Sequence, residues 1–178
     1  ASDAPKRISS QANSALPVTN NVTTCNAVKL HENNDVNLKE LKSGDGWFGE
    51  HFDIELSHSF SVILEDVVTD QNITMKTVYA SAMKSGSASL SVNINGVERT
   101  DIASTLLSGS YTVAKVMNST ATFISSTSNL NFQVDFSRTS AASEAWLDYI
   151  LMNYRRNMTM GSGQFLVRDF QSVGRALE

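Results

Sequence analysis

The sequence predicts an all-β protein, an antiparallel β-sandwich of the jelly-roll kind, on three grounds. Apolar residues alternate with polar ones over many short runs, turn-forming residues separate those runs, and no stretch carries a convincing amphipathic-helix period. Ser, Thr and Asn make up about 30% of the 178 residues and charged residues 18%, a balance suited to strands with hydroxyls on their wet faces. This length supplies one well-buried domain and is short for two.

Residues 1–44 are polar and Asn-rich, with Pro5, Pro17 and short apolar clusters at Ala27–Leu30 and Val36–Leu38. They read as an irregular N-terminal arm with at most one or two short strands. The sandwich is expected over 45–160. Phe52, Ile54 and Leu56 alternate with Asp53, Glu55 and Ser57, and Phe60, Val62 and Leu64 continue the period, so one face of this stretch should be buried. Ile73–Ala80 and Leu90–Ile94 are further strands. Asn95-Gly96 then reads as a two-residue hairpin turn into Val97, because both residues tolerate positive φ. Strands follow at Tyr111–Met117, Ala121–Ile124 and Leu130–Phe136.

Ala145–Met152 is apolar on both faces, which predicts a central strand covered on both sides. A helix competes there, since Leu147, Ile150 and Leu151 also sit at helical spacing. The core should close over Phe60, Val92, Phe132 and Ile150. Gln164–Phe170 forms an expected last strand, and 161–178 read as the passage to a following domain. Leu177-Glu178 resembles an expression-vector remnant, so the chain is expected to be a piece of a longer secreted protein.

A net charge of −4 provides no positive field to gather phosphate polymers, which argues against nucleic acid as a partner. No run of about 18 apolar residues occurs, so no transmembrane segment is expected. The single Cys25 excludes an intrachain disulfide. His31, His51 and His58 read as solvated surface residues, and G-x-S-x-G, P-loop, H-E-x-x-H and EF-hand patterns are all missing. No catalytic residue is therefore expected. Glu50 with Asp53, and Glu65 with Asp66, are close in sequence, but strand geometry does not aim either pair at one substrate atom.

Asp148 interrupts an apolar strand and must find a partner to avoid a desolvation cost. A structural role is expected for it; the alternative is a Ca2+ ion with Asp148 among its ligands, and no other cofactor is implied. Aromatic rings are the usual platforms for the C–H faces of sugars. Trp47, Tyr111 and Tyr154 are the candidate ligand-binding residues. Sequons at Asn21, Asn72, Asn118 and Asn157 are as many as an Asn- and Thr-rich chain yields by chance.

Four stretches taken in order carry a family resemblance: Trp47-Phe48-Gly49-Glu50-His51-Phe52-Asp53, Ser89-Leu90-Ser91-Val92-Asn93-Ile94-Asn95-Gly96, Ala145-Trp146-Leu147-Asp148-Tyr149-Ile150, and Gly163-Gln164-Phe165-Leu166-Val167-Arg168-Asp169. Over about Trp47 to Val173 the chain resembles the region preceding the peptidase domain in the PorU family, the gingipain-like cell-surface sortases of the bacterial type IX secretion system. The resemblance implies a parent cysteine peptidase that removes a C-terminal sorting domain from cargo and joins the new end to lipopolysaccharide. It implies an extracytoplasmic place at the outer membrane, and the parent's peptidase domain, the shuttle protein PorV, cargo C-terminal domains and lipopolysaccharide as partners. This chain lacks the family's His-Gly motif and a Cys ending a buried parallel strand, so no catalytic role carries over. An accessory scaffold domain is the leading expectation. The alternatives are a carbohydrate-binding module with a galactose-binding-like jelly roll, and an adhesin domain of another surface protein.

Overall fold

The structure is a computed structural model that describes residues 22–38, 46–108, 112–159 and 169. The described residues form eleven strands: β1 (Thr24–Glu32), β2 (Val36–Asn37), β3 (Trp47–Phe48), β4 (His51–Phe52), β5 (Ser57–Ile63), β6 (Asn72–Ala82), β7 (Ala88–Ile94), β8 (Val97–Ala103), β9 (Lys115–Ile124), β10 (Asn129–Arg138) and β11 (Glu144–Asn157). The eight long strands make two sheets with orders β1-β11-β6-β9 and β5-β10-β7-β8, paired antiparallel throughout. Apart from the β7–β8 hairpin, successive long strands cross between the layers so that first pairs with last and second with next-to-last, which is the jelly-roll connection. The predicted fold class is therefore what the chain adopts.

The core lies between the layers because each inner strand turns alternate side chains inward. Leu130, Phe132, Val134 and Phe136 of β10 meet Leu90, Val92 and Ile94 of β7, and across the gap lie Met75 and Tyr79 of β6 with Leu147, Ile150 and Met152 of β11. Tyr79 ties the layers by a polar contact as well. Its hydroxyl donates to the Ile102 carbonyl at 2.7 Å and lies 3.1 Å from the Ser104 hydroxyl. Burial, with the Asp101 charge adding to it against the Ser104 hydrogen bond, pushes this phenol up to about 12.

The doubly apolar segment is a central strand, as its composition predicts. Ala145 and Leu147 face the main core, while Trp146 faces outward into a second cluster with Phe48, Ala80, Ala82 and Ala114. The helical alternative fails because all these positions are bonded in a ladder. The Asn95-Gly96 turn has φ values of 51° and 79°, the double positive of a type I′ hairpin.

Three expectations are corrected. The alternation through Phe52, Ile54 and Leu56 does not make one strand: the chain bends after β4, and Ile54 is 97% exposed. The guanidinium of Arg138 pins that bend, donating to the Asp53 carbonyl at 2.6 Å and its carboxylate at 3.3 Å, and also to the carbonyls of Ala141 and Ser143. Next, Tyr111–Met117 and Ala121–Ile124 are not two strands; β9 runs from Lys115 without a break through Asn118-Ser119-Thr120, whose polarity reflects the exposure of an edge strand. Finally, part of the supposed arm is β1, bonded to β11 over nine residue pairs. Its alternation is inverted, with Lys29 and His31 on the inward side and Val28 and Leu30 exposed outward, so it gives no core signal. The expected strand at Gln164–Phe170 lies outside the described residues except for Asp169, whose carboxylate meets Arg155 at 2.5 Å.

Where β1 and β5 face each other the rim of the sandwich is filled by rings. His31 stacks on Phe60 with centroids 3.6 Å apart, and Phe60 stacks on Phe132 at 5.1 Å. Of the histidines expected at the solvated surface, His51 is exposed while His31 and His58 are half-buried, and all three have partners. His31 donates to Glu50 at 2.9 Å, His51 stacks on Trp146 and lies 3.0 Å from Glu144, and His58 donates to the His51 carbonyl at 3.0 Å. Burial alone would raise the Glu50 carboxyl, but bonds from His31, its own backbone and Asn33, with the His31 charge, outweigh that and hold it below the usual carboxylate range.

Three outcomes follow from this packing. Truncation of Phe132 to Ala should cost about 3–5 kcal/mol in urea unfolding, the range for emptying a filled aromatic site. Tyr79→Phe should cost about 1–3 kcal/mol, because the Ile102 carbonyl loses its buried donor. Glu50 has a depressed folded-state pKa, so its contribution is complete above about pH 4.3 and is lost as pH falls through the lower folded value. In acid titrations followed by circular dichroism, Glu50→Gln should therefore show a smaller loss of stability on acidification than the parent chain.

Candidate functional site

Strand β11 changes neighbours on one of its edges. β1 accompanies it as far as Glu32 opposite Tyr149, and then the segment around β4 takes over: Gly49 N–H donates to the Leu147 carbonyl at 2.7 Å and Leu147 N–H to the Glu50 carbonyl at 2.9 Å. Asp148 falls in the handover. On the other edge the register with β6 slips at the same place, from Leu147 opposite Tyr79 to Tyr149 opposite Val78, so Asp148 is the extra residue of a β-bulge. Bulges re-aim a side chain, and this one sets the carboxylate beside Glu32, Asn34 and Trp47.

The segments that carry those partners are fixed to one another. β2 and β3 pair through Val36–Phe48 and Asn37–Trp47, and Asp35 N–H donates to the Phe48 carbonyl at 2.9 Å. Phe48 is 4% exposed in the second apolar cluster, so its neighbour Trp47, on the opposite side of the ribbon, is left 44% exposed. Gly49 allows the close approach: a Cβ there would lie 2.8 Å from the Asn33 Cβ and 3.0 Å from its carbonyl oxygen. Glu50 then clasps the same turn, with one carboxylate oxygen accepting from Asn33 at 2.8 Å and from His31 at 2.9 Å.

The result is a depression of about 560 Å3 lined by Glu32, Asn34, Trp47 and Asp148. Burial, and then the charge of Glu32, raise the Asp148 carboxyl above its ordinary value. Neither carboxylate makes a hydrogen bond or ion pair among the described residues. Chemically the site offers an aromatic face, two strong acceptors and an amide that both donates and accepts. No group of three or more His, Cys, Asp or Glu side chains that could hold a metal occurs among the described residues, whereas Ca2+ takes six to eight oxygens.

Two of the residues singled out in the sequence, Trp47 and Asp148, thus meet in one place. Tyr154 does not join them. It is 6% exposed within the core with its hydroxyl 3.4 Å from the Glu65 carbonyl, so its ring has no free face for a ligand and that expectation is withdrawn. Tyr111 lies outside the described residues. Glu32 and Asn34 were not legible as site residues, because their place depends on β1 pairing with β11. The polar Glu32–Asp35 run marks only a turn. Cys25 is fully buried, and His31 follows six residues later on the same strand, roughly 20 Å away at strand spacing.

A second depression, about 950 Å3, opens over β5 and β10 and is lined by Ser59, Ser61, Asn129, Asn131 and Gln133 among others. Some of its polar groups bond one another: Ser61 donates to the Asn131 side chain at 2.8 Å, and Asn131 N–H donates to the Asn95 side chain at 2.9 Å. No exposed tryptophan or pair of carboxylates stands among its lining residues, in contrast to the first.

No protein-family model matches the chain, and no curated protein sequence does. Solved structures do resemble it. The dimeric latent PorU of Porphyromonas gingivalis superposes with a TM-score of 0.70 at 17% identity, over 84% of this chain and 14% of that one. A family 36 carbohydrate-binding module in complex with calcium and xylotriose gives 0.41 at 16% identity over 74% of this chain, and a family 35 module from Cellvibrio japonicus Abf62 gives 0.40 at 14% over 80%. At such identities the likeness is one of fold: this chain is an all-β jelly roll similar in architecture to a β region of PorU, and it spans a small part of that protein's length.

Proposed function

We propose that this chain is a non-catalytic accessory domain of a secreted surface protein of the PorU type, in which it packs against or spaces a gingipain-like peptidase domain. The observation that carries this reading is the superposition with PorU over 84% of the chain at a TM-score of 0.70. The motifs that resemble the family add support because they form one unit: the stretch from Trp47 to Phe52 lies along Ala145–Leu147 through β4 and the two backbone bonds at Leu147. On this reading the domain works outside the cytoplasm at the bacterial outer membrane. Its contacts are the peptidase domain and, through it, cargo C-terminal domains, PorV or lipopolysaccharide.

Among the described residues no helix is long and apolar enough to cross a membrane, so attachment to that surface would come through partners or through other parts of the polypeptide. The intact gene product provides the test. Its sequence should contain a gingipain-type His and Cys pair, and deletion of residues 22–159 should abolish cargo anchoring in cells while the catalytic Cys stays reactive toward a thiol-directed probe. A gene product without that pair, or normal anchoring after the deletion, would rule the proposal out.

A further inference from the structure

We infer that the depression formed by Glu32, Asn34, Trp47 and Asp148 binds a saccharide without negative charge, one ring of which lies against the Trp47 indole. This site stands on the geometry of the chain and does not depend on the accessory-domain reading. Trp47 is 44% exposed beside a neighbour that is 4% exposed, so the fold buries one aromatic of the pair and leaves the other at the surface. The C–H face of a pyranose covers such an indole without desolvating a charge.

The polar groups match the rest of a sugar ring. Glu32 and Asp148 accept from hydroxyls in charge-assisted bonds, and the Asn34 amide both donates and accepts, as adjacent ring hydroxyls require. Both carboxylates lack a hydrogen bond or ion pair among the described residues. Hydroxyl or ammonium donors would relieve their mutual repulsion, whereas uronic, sialic or phosphorylated sugars would add to it. A volume of about 560 Å3 is ligand-sized. The Gly49–Asn33 contact and the Glu50 clasp hold the walls before any ligand arrives, which lowers the ordering cost of binding.

Asp148 also provides a readout that separates a binding role from a structural one. Its folded-state pKa is raised, so keeping it ionised opposes folding above the usual carboxylate range, and that cost disappears as the group protonates in acid. Asp148→Asn should therefore raise the unfolding temperature at pH 7 relative to the parent, with the gain shrinking toward pH 3. The same substitution should weaken sugar binding. A purely structural Asp would lose stability when replaced.

The test begins with the full chain on an array of neutral, N-acetylated, free-amino and uronic oligosaccharides. The strongest binder is then titrated by calorimetry and tryptophan emission. Trp146 is 6% exposed, so a ligand-dependent blue shift would report Trp47. Expected are saturable binding with that shift, and a loss of at least about tenfold in affinity for both Trp47→Ala and Asp148→Asn with unchanged circular dichroism. Failure of every neutral, N-acetylated and amino sugar to bind saturably, binding that survives in either folded variant, or a preference for uronic sugars would overturn the inference.

Discussion

Strand β11 has to be hydrogen-bonded along both edges for fourteen residues, and no single neighbour covers its outer edge. A buried strand with unpaired backbone groups is costly, so the fold must recruit a second partner where β1 ends. The segment from Gly49 to Phe52 supplies it. Much of the remaining structure serves this substitution: the ribbon of β2 and β3 turns the chain back, Gly49 lets it pass Asn33, Phe48 and Trp146 bury its outer side, and Glu50 with His31 locks it to β1. The lined depression is a product of the same junction, because the point where one partner replaces another is where side chains from three segments converge.

Sequence made the inner layers readable because their physics is local. Phe132, Val134 and Phe136 alternate without interruption, and Asn95-Gly96 has little choice of turn. The misreadings arise where period-two logic meets a longer-range constraint. Ile54 keeps the right parity for a core position, yet the Arg138 guanidinium, 84 residues further along the chain, holds the bend that turns it out. In β1 the inward side carries Lys29 and His31, because a rim position tolerates a long polar side chain that a central one does not. For β9 the obstacle is reversed: an edge strand has so little to bury that its polar middle looks like a turn.

The site was half legible for a related reason. Trp47 and Asp148 stand out by type, one an aromatic near a turn and the other a charge inside an apolar run. Their adjacency is a property of pairing, as the register of β1 on β11 and the one-residue slip against β6 bring them together from about a hundred positions apart. Glu32 and Asn34 are ordinary loop residues until that register is known. Tyr154 shows the converse, a conspicuous aromatic whose parity on β11 places it with Ile150 and Met152 in the interior.

The pairing of Thr24 with Asn157 sets the strand that opens the sandwich beside the strand that closes it, end to end. Tension transmitted from flanking segments would load this end of the ladder first, with the Met158 N–H bond to the Thr23 carbonyl just beyond it, and peel β1 away rung by rung, a weaker mode than sliding two strands past each other. Arg155 sits at this point of first load, its guanidinium bonded to the carbonyl and hydroxyl of Thr24, to Asn26 and to Asp169. It acts as a rivet at the mouth of a zipper, joining the start of β1 to the end of β11 at the place where such a pull would first be felt.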